Sequence, residues 1–276
     1  MTAQRAVVAE YQGGDGPPLL LIHGITATHA VWRPVIGALE RHHWVIAPTL
    51  AGHHGGAPLA DVSVATLTDA VERRLDELGI ERPHVAGNSL GGWIALELAR
   101  RGRARSVVAL SPAGCWGSGL DLARVSALVM SGHQMSTQYA PRLRALLARP
   151  RGRRLLFRLA FEHGERLTPA EALAIFTDNA ACTIVDQFMR SVRATGPMTG
   201  PVQTDGCPIR IAWPERDRTI PFGRYGRPTT VAFPQAELVR LPGVGHVPMI
   251  DDPELVVRTI LEVTQSTDRV EVQAGA

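Results

Sequence analysis

The segment Gly87-Asn88-Ser89-Leu90-Gly91 restricts the fold of this chain more than any other, because it follows the G-x-S-x-G pattern of a nucleophile elbow. His84 to Asn88 is typical of a short strand, and Leu90 to Arg100 has apolar residues at the three- and four-residue spacing of a helix. A strand that turns directly into a helix strains the turn residue and leaves no room for side chains two positions away. We therefore predict that Ser89 is exposed at the positive end of a helix, although a plain strand-to-helix loop fits the same five residues.

The composition is that of a globular protein. The chain has 276 residues and 45% of them are hydrophobic, so it can bury a full core as one α/β domain with an insertion or as two domains. The N-terminal residues lack the pattern of a secretory signal, and apolar runs such as Leu19 to Ile22 are too short to span a bilayer. We expect a cytoplasmic protein without a membrane partner.

Cysteine and histidine patterns do not indicate a metal or disulfide site. Cys115, Cys182 and Cys207 are widely spaced without a C-x-x-C pair, and we expect them to be buried thiols. His53 and His54 are adjacent, but adjacent side chains diverge and no acidic cluster accompanies them. We expect no metal and no cofactor.

The charge distribution does not favour a nucleic-acid partner. The formal net charge is +3, and the chain has no lysine. The densest basic stretch, Arg142 to Arg158, has leucines interleaved at helical spacing and no set of aromatic residues for stacking. It is therefore interpreted as a solvated helix face.

Strand and helix signals alternate in the N-terminal half, which predicts an α/β fold with a mostly parallel twisted sheet flanked by helices. The predicted strands are Arg5 to Glu10, Leu19 to Ile22, Trp44 to Ala47, His84 to Asn88, Ser106 to Leu110, Ile209 to Trp213 and Ala236 to Leu241. The predicted helices around them are Val31 to Arg41, Ser63 to Leu78, Leu90 to Arg100 and about Pro253 to Val263.

Strand signals are missing between Pro112 and Asp205, where helical periodicity dominates in Leu120 to Met130 and Pro169 to Arg193. We predict a helical cap of residues 112–205, inserted into an α/β core of residues 1–111 and 206–264. Residues 265–276 show no periodicity and are predicted to be a disordered tail.

A serine becomes a nucleophile when a histidine accepts its proton and an acid orients that histidine. After an elbow of this kind the chain order is nucleophile, acid, histidine. Of the ten histidines only His133, His163 and His246 follow Ser89, and the first two fall in the predicted cap. His246, in a glycine-rich loop after the last predicted strand, is therefore the candidate base, with an exposed loop histidine as the alternative reading.

The acid should follow the carboxyl end of a strand, where open α/β sheets assemble their sites. Asp217 follows the predicted strand Ile209 to Trp213 and fits best, with Glu215 as its competitor. Asp178 and Asp186, in the predicted cap, are interpreted as charges on helix surfaces.

Acyl transfer also requires an oxyanion hole of two backbone N–H groups. Leu90, directly after the nucleophile, is expected to provide one. Ile25, in the loop after the strand Leu19 to Ile22, is expected to provide the other. His23 is then a buried structural residue of that loop.

These motifs together resemble the α/β-hydrolase superfamily with a helical cap, over nearly the whole chain. The motifs are His23-Gly24, Gly87 to Gly92, Trp213 to Pro221 and Gly245 to Pro248. The resemblance implies hydrolysis through an acyl-serine intermediate without a cofactor. Epoxide hydrolases and haloalkane dehalogenases use an aspartate where this chain has Ser89, which argues against their activities. The absence of lysine argues against the hydroxynitrile lyases.

Asn88 resembles the residue before the serine in carbon–carbon bond hydrolases, although Val247 replaces the tryptophan that commonly follows their histidine. We assign Asn88 and Val247 to substrate binding, and Arg190 or Arg193 could meet a carboxylate in a carbon–carbon bond hydrolase.

The leading hypothesis is a serine hydrolase acting on a small, largely apolar carboxylic ester or lactone. An apolar small-molecule substrate is expected from apolar cap residues, which include Met130, Met135, Phe157, Phe161, Phe176 and Phe188. The alternatives are a carbon–carbon bond hydrolase of a vinylogous diketone and a non-hydrolytic ligand-binding or cyclase member of the fold. A homodimer remains open.

Overall fold

The strand segments form one mostly parallel sheet. The computed structural model describes residues 9–274, and within them the sheet has seven strands in the order β1-β3-β2-β4-β5-β6-β7. The strands are β1 (Glu10–Gly13), β2 (Pro18–Ile22), β3 (Trp44–Pro48), β4 (His84–Asn88), β5 (Ser106–Leu110), β6 (Ile209–Pro214) and β7 (Glu237–Leu241). Only the pairing of β1 with β3 is antiparallel among them. The predicted first strand, Arg5 to Glu10, lies mostly outside the described residues, and β1 begins at Glu10.

Helices cover both faces of the sheet. The helices of the described residues, including those of the insertion between β5 and β6, are α1 (Arg33–Leu39), α2 (Val64–Glu77), α3 (Leu90–Arg100), α4 (Gly119–Leu147), α5 (Pro150–Phe157), α6 (Pro169–Ala180), α7 (Val185–Thr195), α8 (Gly226–Ala232), α9 (Pro248–Asp251) and α10 (Pro253–Ala274). Successive side chains of β2 point to opposite faces, as in any strand. Leu19 and Leu21 therefore pack in one core cluster with α1 and α10, whereas Leu20 and Ile22 pack in another with α2 and α3.

The chain between β5 and β6 is a helical insertion above the sheet. It contains α4 to α7, and the residues described there include no strand. The helical stretch predicted over Pro169 to Arg193 consists of α6 and α7, which are separated at residues 181–184, where Thr183 bonds the carbonyl of Gly52 through both its N–H (2.9 Å) and its hydroxyl (3.0 Å). No helix within residues 9–274 is both long and apolar enough to cross a membrane.

The last helix extends well beyond its predicted end. Helix α10 continues to Ala274, through residues for which we expected a disordered tail. Polar partners from distant parts of the chain anchor it: Thr264 Oγ1 lies 2.9 Å from His43 Nε2, and Asp268 Oδ1 lies 3.0 Å from His84 Nε2. The spacing of apolar residues does not reveal polar contacts of this kind, and for this reason the sequence predicted an earlier end of the helix.

Buried histidines make the stability of the fold sensitive to acid. Burial lowers the pKa of five of them, because it removes water from the charged form. They are His23, His29, His43, His53 and His84. The pKa of His53 falls to about 4. Below about pH 6.5 the unfolded chain binds these protons and the folded chain does not, so stability is full above that pH and declines toward pH 4.

We expect protonation of His53 alone to lower the free energy of unfolding by about 2 kcal/mol between pH 7.5 and pH 5. Urea unfolding of the wild-type chain at pH 7.5, 6.5 and 5 measures the decline. His53→Asn keeps a donor for the Ala51 carbonyl, which lies 3.2 Å from His53 Nδ1. In this variant the free energy of unfolding should fall less steeply as the pH is lowered. His42→Asn, at an exposed histidine, should have the same pH dependence of unfolding free energy as the wild-type chain. An equal pH dependence in the two variants would contradict the contribution assigned to His53.

Candidate active site

Ser89 occupies a strained turn between β4 and α3. Its φ of 56° and ψ of −114° form a conformation that glycine favours. A Cβ on Gly87 would lie 2.1 Å from the Gly91 carbonyl oxygen, and a Cβ on Gly91 would lie 2.0 Å from the Ile22 carbonyl oxygen. Both distances are far shorter than a van der Waals contact, so these two positions require glycine. The tight turn places Ser89 at the N-terminal end of α3.

Asp217 and His246 form a buried pair beside this turn. His246 donates its Nδ1–H to Asp217 Oδ2 at 2.7 Å, and the Ser111 hydroxyl donates to the same oxygen at 2.7 Å. Asp217 Oδ1 accepts the backbone N–H groups of Thr219 (2.9 Å) and Ile220 (2.8 Å). Four donors thus fix the carboxylate. Because the carboxylate accepts the Nδ1–H of His246, the proton of the neutral imidazole stays on Nδ1, and Nε2 is free to act as a base.

Ser89 and His246 face the same cavity. Ser89 Oγ makes no hydrogen bond to a residue within the described part of the chain. Hydrogen bonds between a nucleophile and its base are often loose before substrate binds and tighten in the reacting complex. Ser89 and His246 thus share one cavity, and Asp217 holds the imidazole from its other side.

The two residues expected to supply oxyanion donors, Ile25 and Leu90, both line the cavity that contains Ser89. Leu90 is the first residue of α3, and Ile25 lies in the loop between β2 and α1. Neither N–H donates a hydrogen bond to another residue among those described. His23, just before Ile25 in the chain, anchors this loop to the segment after β3, because its Nε2 accepts the Leu50 N–H at 2.9 Å. The two N–H groups are thus available to an oxygen that develops negative charge.

The cavity has a volume of about 530 Å³ and lies between the sheet and the cap. Its wall is mostly apolar, and each of α4 to α7 contributes residues to it. Apolar side chains in the wall include Trp93, Met135, Phe157, Phe161, Phe176, Phe188 and Val247. Met130, by contrast, is 43% exposed and does not line it. The volume suits an apolar ligand of drug-like size.

The residues flanking the catalytic candidates have different environments. Asn88 lines the cavity, and its Nδ2 donates to the carbonyls of Leu110 (3.2 Å) and His246 (2.9 Å), so its amide nitrogen holds the histidine loop. Val247 lines the cavity, and its N–H donates to Ala160 of the cap at 3.0 Å.

Several polar residues lie elsewhere than the sequence suggested. Asp178 is not a surface charge: it lines the cavity and accepts hydrogen bonds from Thr28 and His54. Arg190 and Arg193 are exposed on the outer side of α7 and do not line the cavity. Glu215, the competitor of Asp217, is exposed, and Asp186 is an exposed charge on α7 in agreement with its interpretation as a surface charge.

Sequence reasoning missed two buried groups that support the site. Ser111 follows β5 directly, and its position at the same sheet edge as Ser89 was the available signal. Asp251 accepts the N–H groups of Gly245 (2.8 Å), Glu162 (2.9 Å) and His163 (2.7 Å). It therefore ties the loop of His246 to the cap, and nothing in the local sequence indicated this contact.

Comparison with known proteins places the chain in a family. The sequence profile of the alpha/beta hydrolase family matches residues 19–259. Epoxide hydrolase EphH of Mycobacterium tuberculosis is 36% identical over 202 residues, which cover 72% of this chain and 94% of that protein.

Solved structures share the fold. The enol-lactonase from Burkholderia xenovorans aligns with a TM-score of 0.71 at 19% identity, over 93% of this chain and 95% of that one. A 2-hydroxy-6-oxo-6-phenylhexa-2,4-dienoate hydrolase from Rhodococcus aligns with a TM-score of 0.70 at 21% identity, over 93% of this chain and 94% of that one. At these identities the likeness establishes the fold and not the substrate.

Proposed function

Since the chain belongs to the alpha/beta hydrolase family, we propose that it is a serine hydrolase of a largely apolar carboxylic ester or lactone. The observation that carries this proposal is the buried Asp217–His246 pair beside the strained Ser89 in a mostly apolar cavity. A pair so placed activates a hydroxyl toward an acyl carbon.

Acylation begins when Ser89 Oγ attacks the substrate carbonyl carbon and its proton moves to His246 Nε2. The carbonyl oxygen becomes an oxyanion and accepts the N–H groups of Ile25 and Leu90. The tetrahedral intermediate then expels an alkoxide, which takes the proton from Nε2. A lactone opens in the same step, and its hydroxyl stays on the acyl group.

Deacylation repeats these steps with water as the nucleophile. His246 Nε2 takes a proton from water, the hydroxide adds to the acyl carbon, and Ser89 Oγ leaves with the proton returned from Nε2. Asp217 keeps Nδ1 protonated throughout and stabilises the imidazolium that forms twice in each cycle. The products are a carboxylic acid and an alcohol, or a hydroxy acid from a lactone.

Because the relative EphH is named an epoxide hydrolase, epoxide hydrolysis is a second reaction to consider for this chain. Attack of a carboxylate on an epoxide gives an ester, which water can cleave. Attack of Ser89 would instead give an alkyl ether, which this site has no means to hydrolyse. The serine at the elbow therefore favours acyl transfer, and we expect no turnover of epoxides.

Carbon–carbon cleavage loses part of its support. Arg190 and Arg193, which could have met a substrate carboxylate, point away from the cavity. The structural likeness to a dienoate hydrolase concerns the fold alone. An ester or lactone remains the substrate class that the apolar cavity favours.

Labelling with a fluorophosphonate, combined with a substrate panel, tests the proposal. We expect the probe to phosphonylate Ser89, as peptide mass spectrometry can locate, and an aryl ester to compete with it. Aryl esters and lactones should turn over, whereas a styrene-type epoxide should not. Faster loss of a dienone's visible absorbance would indicate carbon–carbon cleavage instead, and no adduct with no turnover would indicate a binding protein.

A further inference from the structure

The loop that carries Ile25 contains a strained residue. Thr26 has a φ of 64° and is the third residue of a turn closed by the Ala27 N–H and the Gly24 carbonyl at 3.2 Å. Glycine or asparagine is usual at such a position, and a β-branched residue there is rare. Strain of this kind persists only where the surroundings hold it.

The cap supplies the contact that holds this loop. Asn179, near the C-terminal end of α6, donates its Nδ2–H to Thr26 Oγ1 at 3.1 Å. Its Oδ1 lies 3.3 Å from His133 Nδ1 of α4. Beside it, Asp178 Oδ2 accepts the Thr28 hydroxyl at 3.0 Å. Two neighbouring cap residues thus hold two alternate residues of the loop.

We propose that Asn179 is a positioning residue for the oxyanion hole. Through the Thr26 hydroxyl it holds the turn from Gly24 to Ala27 in place, and so it orients the Gly24–Ile25 peptide, whose N–H faces the reacting carbonyl. This inference rests on the proposed acyl transfer. It means that the cap orients an oxyanion donor in addition to forming part of the cavity wall.

Attachment of the cap does not by itself explain the contact. The cap is also tied to the core by Val247 N–H to Ala160 (3.0 Å) and by Asp251 to Glu162 (2.9 Å). A turn with a purely structural role would be more stable with glycine than with Thr26. The Thr26 side chain instead occupies a strained position beside the cavity that contains Ser89, where preorganised donors determine the rate.

A double-mutant cycle tests this role. Thr26→Val removes the hydroxyl and keeps the β-branched shape, Asn179→Ala removes its partner, and the double variant removes both. Each variant should hydrolyse an aryl ester with a kcat about 10-fold below wild type, because the misaimed donor stabilises the oxyanion less well. Fluorophosphonate labelling should slow by a similar factor, while KM stays within about twofold. The double variant should lose no more than either single variant.

Thr177→Val is the matched control, because the one partner of the Thr177 hydroxyl within residues 9–274 is the Leu173 carbonyl of its own helix, at 3.0 Å. It should keep the wild-type kcat. A structural link alone would lower the melting temperature of Asn179→Ala without lowering kcat. That result, or losses that multiply in the double variant, would overturn the inference while leaving the hydrolase assignment intact. A wild-type chain without turnover and without labelling would overturn both.

Discussion

Ser89→Ala is expected to lower kcat for an aryl ester by about 10⁶-fold, the largest effect of any single change in this chain. Without Oγ there is no atom to form the acyl intermediate, and His246 has no hydroxyl to activate. The oxyanion donors and the cavity remain, so KM should change little. Steady-state rates on a chromogenic ester, with fluorophosphonate labelling of the same sample, measure the loss.

Two companion variants separate chemistry from folding. Ser126→Ala, in the cap, removes a buried hydroxyl that has no hydrogen-bond partner among the described residues, and it should keep full activity. Ser89→Gly should be as inactive as Ser89→Ala but about 1 kcal/mol more stable, because glycine adopts a φ of 56° without strain. Residual turnover above about one part in 10³ in both Ser89 variants would show that the nucleophile lies elsewhere.

The catalytic candidates could be predicted because each depends on a local rule. A short strand, a sharp turn and a helix fix the position of Ser89. The glycines on both sides of it indicate this turn in the sequence. Asp217 and His246 follow β6 and β7, and the carboxyl ends of parallel strands meet at one edge of a sheet. Sheet order therefore brought together residues that are far apart in the chain.

The cavity wall could be predicted only in part, because it depends on how the cap helices rest on the core. In α7 the spacing of the buried Val185, Phe188 and Val192 already places Arg190 on the opposite side of the helix. For Asp178 no spacing rule was enough, because its partners Thr28 and His54 come from loops more than a hundred residues earlier. Periodicity shows which face of a helix is polar, but not which polar residue faces a ligand.

The environment of Asp217 explains why an amide cannot replace its carboxylate. One oxygen, Oδ1, accepts two backbone N–H groups, from Thr219 and Ile220. In Asp217→Asn the amide oxygen must take that place, because an NH₂ group there would face two donors. The amide nitrogen then faces His246 Nδ1 and the Ser111 hydroxyl, where the carboxylate had accepted both.

Asp217→Asn should therefore force His246 into the other tautomer, with the proton on Nε2, where it cannot accept the proton of Ser89. We expect kcat to fall about 10⁴-fold with little change in KM, since the oxyanion hole and the cavity are untouched. Glu215→Gln, at the exposed carboxylate two residues earlier, is the matched control and should retain the wild-type rate. Steady-state kinetics and melting curves of both variants give the comparison. A stably folded Asp217→Asn variant within about tenfold of wild type would exclude Asp217 as the residue that sets the tautomer of His246.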